Sequence, residues 1–164
     1  MDIETFIKGD ESTLKELIDE MQKPLLKYSY SILLNYADAE DAVQTAFVKT
    51  YTNRKNIKDS KKLSAYLYRV TFNESINIIR RRRFFVMERT GLSYKDSNYI
   101  SEEMTAALGK LKAQDRALVY SRAVDEMSYI ELAEIHGKSE QTLRKRYERA
   151  KVKLADILKP YEKE

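Results

Sequence analysis

Four glycines and two prolines are all that 164 residues contain, and this scarcity limits the fold more than any other feature. Average usage would place Gly or Pro at about 12% of positions. A sheet protein needs turn signals between its strands, so a chain this poor in them reads as all-α. Ala, Glu, Lys, Leu and Arg supply 75 residues, close to the half found in long helices. The length suits one domain or two small ones.

The net charge of +4 hides an uneven distribution. Residues 1–60 carry −3, residues 61–95 carry +7, residues 96–143 carry −4 and residues 144–164 carry +4. Two separate basic blocks fit two contacts with one polyanion. They fit solvated helix faces equally well. The chain has no cysteine and one histidine, His136, which removes thiolate chemistry and leaves no basis for a histidine metal site or triad. No phosphate-binding Gly loop or nucleophile–base set is present, so the reading is a non-enzyme with no metal and no cofactor. No apolar run approaches 18 residues and the start, MDIETFIKGDES, lacks an apolar signal core. The expectation is a soluble, cytoplasmic protein with no membrane insertion.

Apolar spacing marks the helices. Leu14, Leu17, Ile18, Met21, Leu25, Tyr28, Ile32 and Leu33 keep helical register, with Pro24 a kink or a break. Asp38 reads as the N-cap of a helix that buries Ala39, Ala42, Val43, Ala46, Phe47 and Thr50 and ends near Arg54. A polar segment, residues 53–62, precedes a long helix over 63–83. Residues 84–101 lose the pattern and read as a linker. Shorter helices then begin at Glu102, Gln114, Ser128 and Ser139. The chain therefore reads as two small helical domains, residues 1–83 and 102–164, joined by a short linker at 84–101.

The C-terminal half carries a helix-turn-helix pattern. Ser128 and Glu131 form a capping box, and Gly137 suits a left-handed turn before a second helix capped by Ser139. Ala133, Gly137 and Leu143 supply the small, turn and buried positions that let two helices cross. In the second helix Leu143, Tyr147, Ala150, Leu154 and Leu158 make an apolar stripe, while Gln141, Arg144, Lys145 and Glu148 share another face. A major-groove reader needs such donors and acceptors near the start of its recognition helix. Arg146, Arg149, Lys151 and Lys153 suit phosphates. His136 reads as a turn residue.

In the N-terminal half, Asp41, Gln44, Thr45 and Val48 lie opposite the apolar stripe of their helix, and Val48 there is either a protein contact or an isolated exposed residue. Tyr66, Arg69, Asn73, Asn77 and Arg80 recur at spacings of three and four along the long helix. That polar edge, running into Arg81, Arg82 and Arg83, fits a nucleic-acid backbone with unstacked bases. Arginines that merely complement a helix dipole would look the same.

Both halves resemble one family, the extracytoplasmic-function group of sigma-70 RNA polymerase sigma factors. The first likeness is the run from Asp38 to Phe47, followed by Ala65-Tyr66-Leu67-Tyr68-Arg69-Val70 with Asn73 and the arginines at 80–83. The second is Ala107-Leu108 to Arg116 and Leu118, then Ser128 to Ile135, then Thr142 to Arg146 with Arg149-Ala150. The resemblance implies a promoter-specificity subunit for transcription initiation. It implies that Asp38, Glu40, Asp41, Gln44, Thr45 and Val48 dock on the clamp helices of the polymerase largest subunit. Lys55, Asn56, Lys61, Tyr66, Arg69, Asn73, Asn77 and Arg80 would melt and read the −10 element. Ser139, Glu140, Gln141, Arg144, Lys145, Glu148 and Arg149 would read the −35 element, with the polymerase flap as a further contact. An anti-sigma factor is a partner the resemblance allows. The sequence departs from the family pattern at Thr45, where glutamate is frequent, at Tyr66, where tryptophan is common, and at Asn77, where aspartate is frequent. Rival readings are an operator-binding helix-turn-helix regulator, for which no heptad seam is present, and an adaptor whose helices bind only proteins.

Overall fold

A computed structural model describes residues 1–85 and 100–162, and every regular element among them is helical. The first half contains α1 (Ile3–Lys8), α2 (Glu11–Leu33), α3 (Tyr36–Thr52) and α4 (Ser60–Phe85). The second contains α5 (Glu102–Gly109), α6 (Ala113–Ala123), α7 (Tyr129–His136) and α8 (Glu140–Leu158). Short 3₁₀ turns follow α3 at Arg54–Asn56 and α8 at Lys159–Tyr161.

The helix α1 escapes periodicity because six residues are too few to show a stripe. Its caps define it instead: the Asp2 carboxylate accepts from the Glu4 and Thr5 amides, and Gly9 ends it at φ 91°. Phe6 is thereby buried against the edge of the Tyr51 ring, whose hydroxyl donates to the Gly9 carbonyl at 2.9 Å.

Pro24 neither breaks nor ends α2. An interior proline costs about 3 kcal/mol by removing one ladder bond and crowding the preceding turn. The bond lost is to Glu20, an exposed residue whose carbonyl water can reach, and the buried Leu17, Leu25, Leu26 and Tyr28 around it offset the cost. The helix stops at Leu34, a non-glycine residue in the left-handed region at φ 53°. That strained residue packs its side chain against Leu108, Leu111, Val119 and Ala150 of the second half.

The N-cap of α3 is Asn35, not Asp38. The Asn35 Oδ1 accepts the Asp38 amide at 3.0 Å, which places Asp38 inside the first turn, favoured there by the helix dipole. The six residues expected to be buried on α3 are buried. The next helix, α4, starts at Ser60, three residues before the apolar pattern, because Asp59 accepts the Lys62 amide at 2.8 Å. It runs two residues into the segment read as linker; residues 86–99 lie outside those described.

The second half follows the expected order. Ser101 caps α5, the Ser128–Glu131 capping box starts α7, Gly137 ends it at φ 61° and Ser139 caps α8. The two halves are packed together. Ala117, Tyr120 and Ile135 of the second half belong to the same buried cluster as Leu25, Tyr28 and Leu67 of the first. At about 2–5 kcal/mol for a buried Leu→Ala change, Leu67 is a position whose truncation loosens the first half and the seam together.

Candidate nucleic-acid interface

Three surfaces carry the residues singled out from sequence, each on a rigid helix. On α3, Asp41, Gln44 and Val48 are exposed, Val48 to 65%, while Glu40 and Thr45 are half-buried. Asp38 is ion-paired with Arg82 of α4, which ties the start of α3 to the arginine run. The free part of this face is therefore narrower than the helical wheel implies, centred on Asp41, Gln44 and Val48.

The second surface is the edge of α4. Arg69, Asn73, Asn77 and Arg80 are exposed in a row and Tyr66 is half-buried. The Arg69 guanidinium rests 5.7 Å from the Tyr66 ring centre, so the aromatic at the head of the row already carries a cation. Leu63 and Leu67 anchor the opposite side of the helix. Lys55 and Asn56 are exposed on the α3–α4 connection, which Ile57 pins by its burial, and Lys61 is exposed in the first turn of α4. An amide, arginine and aromatic row of this kind can neutralise phosphates and offer stacking and hydrogen bonds to unpaired bases.

The third surface is the exposed side of α8, where Ser139, Glu140, Gln141, Arg144, Lys145, Glu148 and Arg149 all reach solvent and Leu143 and Ala150 face the core. Arg146 does not belong to the phosphate-facing group: its Nε donates to Asp115 on α6 at 2.7 Å, so it ties α8 to its own half. Lys151 pairs with Glu148 at 3.2 Å.

Between the second and third surfaces lies a cleft of about 690 Å³, lined by Asn73, Asn77 and Arg80 of α4 and by His136, Lys138 and Arg146 of the second half. The polar edge of α4 thus faces the second half across a gap. Three contacts close the seam around it. Arg116 donates from Nε at 2.9 Å, and also from Nη2, to the carbonyl of Ile32 near the end of α2. The Tyr68 hydroxyl donates to Asp125 at 3.5 Å, and the Phe72 ring meets His136 edge-on at 4.7 Å. His136 is thus the last residue of α7 and a packing residue, which its place beside Gly137 did not reveal. Burial, with Arg146 adding to it, pushes the His136 imidazole down to about 4. Burial pushes the Asp125 carboxyl up to about 6 against smaller opposing effects of Tyr68 and Lys27.

Arg116, Asp125 and Tyr129 were missed as contact residues by reasoning from local pattern. Arg116 meets Ile32 84 residues away and Asp125 meets Tyr68 57 away, both across the seam, while Tyr129 meets Arg144 and Tyr147 of α8. The one available signal was an arginine, Arg116, directly beside the buried pair Ala117-Leu118. Among the described residues no group of three or more His, Asp or Glu could hold a metal ion, and no helix is long and apolar enough to cross a membrane.

Comparison with known proteins places these surfaces in a family. Residues 17–85 match Sigma-70 region 2, and residues 101–154 match Sigma-70, region 4. The chain is 25% identical to the ECF RNA polymerase sigma factor SigW of Bacillus subtilis, over 93% of this chain and 92% of that protein. It is 26% identical to the ECF RNA polymerase sigma factor SigE of Mycolicibacterium smegmatis, over 95% of this chain and 66% of that one. Its fold is that of CnrH, solved in complex with the cytosolic domain of CnrY, with a TM-score of 0.76 at 23% identity over 96% of this chain and 95% of the other. It is equally that of the sigma factor RpoE of Bartonella quintana, solved with the anti-sigma factor NepR, with a TM-score of 0.76 at 24% identity over 88% of this chain and 96% of the other. With both conserved regions present in order, the chain belongs to the sigma-70 family of RNA polymerase sigma factors, in its extracytoplasmic-function group.

Proposed function

We propose that this sigma factor is a binding subunit with no chemistry of its own, whose three exposed surfaces divide the work of initiation in the cytoplasm. The exposed part of α3, Asp41, Gln44 and Val48, docks on the clamp helices of core polymerase. The α4 edge from Tyr66 to Arg80, with Lys55, Asn56 and Lys61 beside it, captures unpaired bases of the −10 element. Stacking and amide contacts there offset an unstacking cost of a few kcal/mol per base. The start of α8 enters the major groove at the −35 element. The observation that carries this reading is the placement of two exposed basic rows on two separate rigid helices of one chain.

Geometry adds a requirement. Elements centred at −10 and −35 lie about 25 base pairs apart, or about 85 Å of duplex. A compact chain of this length has a radius of gyration of about 15 Å. The seam held by Arg116, Asp125 and His136 therefore opens when both elements are bound. CnrH and RpoE are solved with CnrY and NepR; by likeness, an anti-sigma protein that grips both halves would keep this seam shut. Distance measurement between labels on α4 and α8, free and in the promoter complex, tests the opening. An unchanged distance refutes it.

A further inference from the structure

The recognition face of α8 is not uniform in how its side chains are held. Lys145 and Arg149 extend into solvent without an ion pair or hydrogen bond among the described residues. Arg144 is exposed too, yet its guanidinium carbon lies 4.4 Å from the centre of the Tyr129 ring on α7. No hydrogen bond or ion pair engages Arg144 among the described residues, so the ring is what fixes it.

The ring is a rigid support. Tyr129 is 9% exposed and is the first residue of α7, immediately after the Ser128 cap. The Tyr147 ring meets it at 70° with centres 6.5 Å apart. A second guanidinium, Arg122 of α6, lies 5.0 Å from the same centre and is anchored by an Nη1 bond to the Met127 carbonyl at 3.1 Å. Two like charges gathered at one aromatic ring are tolerable because the ring's negative quadrupole meets both. A guanidinium stacked by its plane keeps its N–H edge free, and that edge is what pairs with the O6 and N7 atoms of guanine.

We propose that Tyr129 is a positioning residue for Arg144, holding its guanidinium plane so that its donor edge is presented to one base pair of the −35 element. The proposal rests on the reading of α8 as the −35 helix. It deepens that reading by making base discrimination depend on a residue that touches no DNA. Stacking of this strength at an exposed site corresponds to about a 2- to 5-fold change in preference.

Two measurements test it. In the free full-length protein, ring-current shifts report the stack without DNA: the Arg144 side-chain protons are shifted upfield in wild type and Tyr129→Phe and not in Tyr129→Leu. Holoenzyme assembled on core polymerase is then challenged with promoter fragments randomised over the −35 element, and the bound fraction is sequenced. Arg144→Ala flattens one base pair. Tyr129→Leu flattens that same base pair 2- to 5-fold with an unchanged salt slope, and Tyr129→Phe keeps it. Full preference in a folded Tyr129→Leu protein overturns the proposal. So does equal loss on every sequence in Tyr129→Leu, or loss in Tyr129→Phe despite a retained ring shift. If Arg144→Ala flattens no position while the upfield shift is present, the −35 reading of Arg144 fails and the proposal with it. If the shift is absent from wild type, the stack alone is refuted.

Discussion

Arg116 and Ile32, 84 residues apart in sequence, are joined by two hydrogen bonds from one guanidinium to one carbonyl. The carbonyl belongs to the last turn of α2, where helix carbonyls have no intrahelical partner, so a half-buried cation there meets both an orphan acceptor and the negative end of the dipole. A third bond, from Nη1 to the Leu111 carbonyl at 2.7 Å, fixes the arginine within its own half. Burial lowers the pKa of Arg116, as it must for a cation taken from water, but an arginine stays charged.

Replacing Arg116 with Ala should destabilise the packed form by about 1.5–3 kcal/mol, the range for hydrogen bonds to a charged group. Arg116→Lys should recover only part, since an ammonium cannot present two parallel donors. Urea unfolding of the full chain, read as a shift in midpoint, checks both; an unshifted midpoint in the Ala variant would remove the bond from the account.

The seam also holds two groups whose pH responses oppose one another. His136 has a folded pKa of about 4, below its ordinary 6.5, so its contribution is complete above 6.5 and is lost as pH falls toward 4. Asp125 has a folded pKa of about 6, above its ordinary 3.8, so burying its charge weakens the packed form above 6 and that penalty disappears as pH falls toward 3.8. Compared with wild type, His136→Gln should therefore gain stability as pH is lowered from 6.5 to 4. Asp125→Asn should be favoured at neutral pH and lose that advantage between 6 and 4. Denaturation midpoints measured at half-unit pH steps decide this, and parallel curves for all three proteins would contradict it.

The two exposed arginines of α8, Arg144 and Arg149, should separate by role. Arg149→Ala should lower the salt slope of DNA binding by about one on all sequences, as the loss of one phosphate contact requires. Arg144→Ala should cost about 1–3 kcal/mol at one base pair of the −35 element. Equal losses for Arg144→Ala on cognate and scrambled DNA would deny it a reading role.

Asp41 is exposed on α3 and, unlike Asp38, makes no ion pair among the described residues. Asp41→Arg should weaken binding to core polymerase while leaving helix content unaltered. Undiminished co-elution with core polymerase would take this face out of the interface.

How far the sequence led depended on the range of each signal. Features that act within a turn or two of helix were legible: the buried stripe of α3, the Ser128–Glu131 box, the Gly137 turn and the exposed edge of α4. Short-range competition misled at one cap, where Asn35 and Asp38 were both competent and three residues apart, and Asn35 took the role. Pro24 was ambiguous because its effect depends on tertiary packing that no local pattern reports. The pairings Arg116–Ile32, Tyr68–Asp125 and Phe72–His136 were illegible for a plainer reason: each joins distant residues across the seam, and nothing periodic connects them. The same holds for Arg144 on Tyr129, fifteen residues apart on crossing helices.

The most direct test of the whole account is transcription in vitro by bacterial core polymerase on fragmented DNA from the protein's own source, with and without the chain. The account predicts discrete new start sites that appear only when the chain is present, with two recognition elements emerging when their upstream sequences are aligned. Tight binding of DNA in the absence of polymerase, with no new start site in its presence, would contradict it.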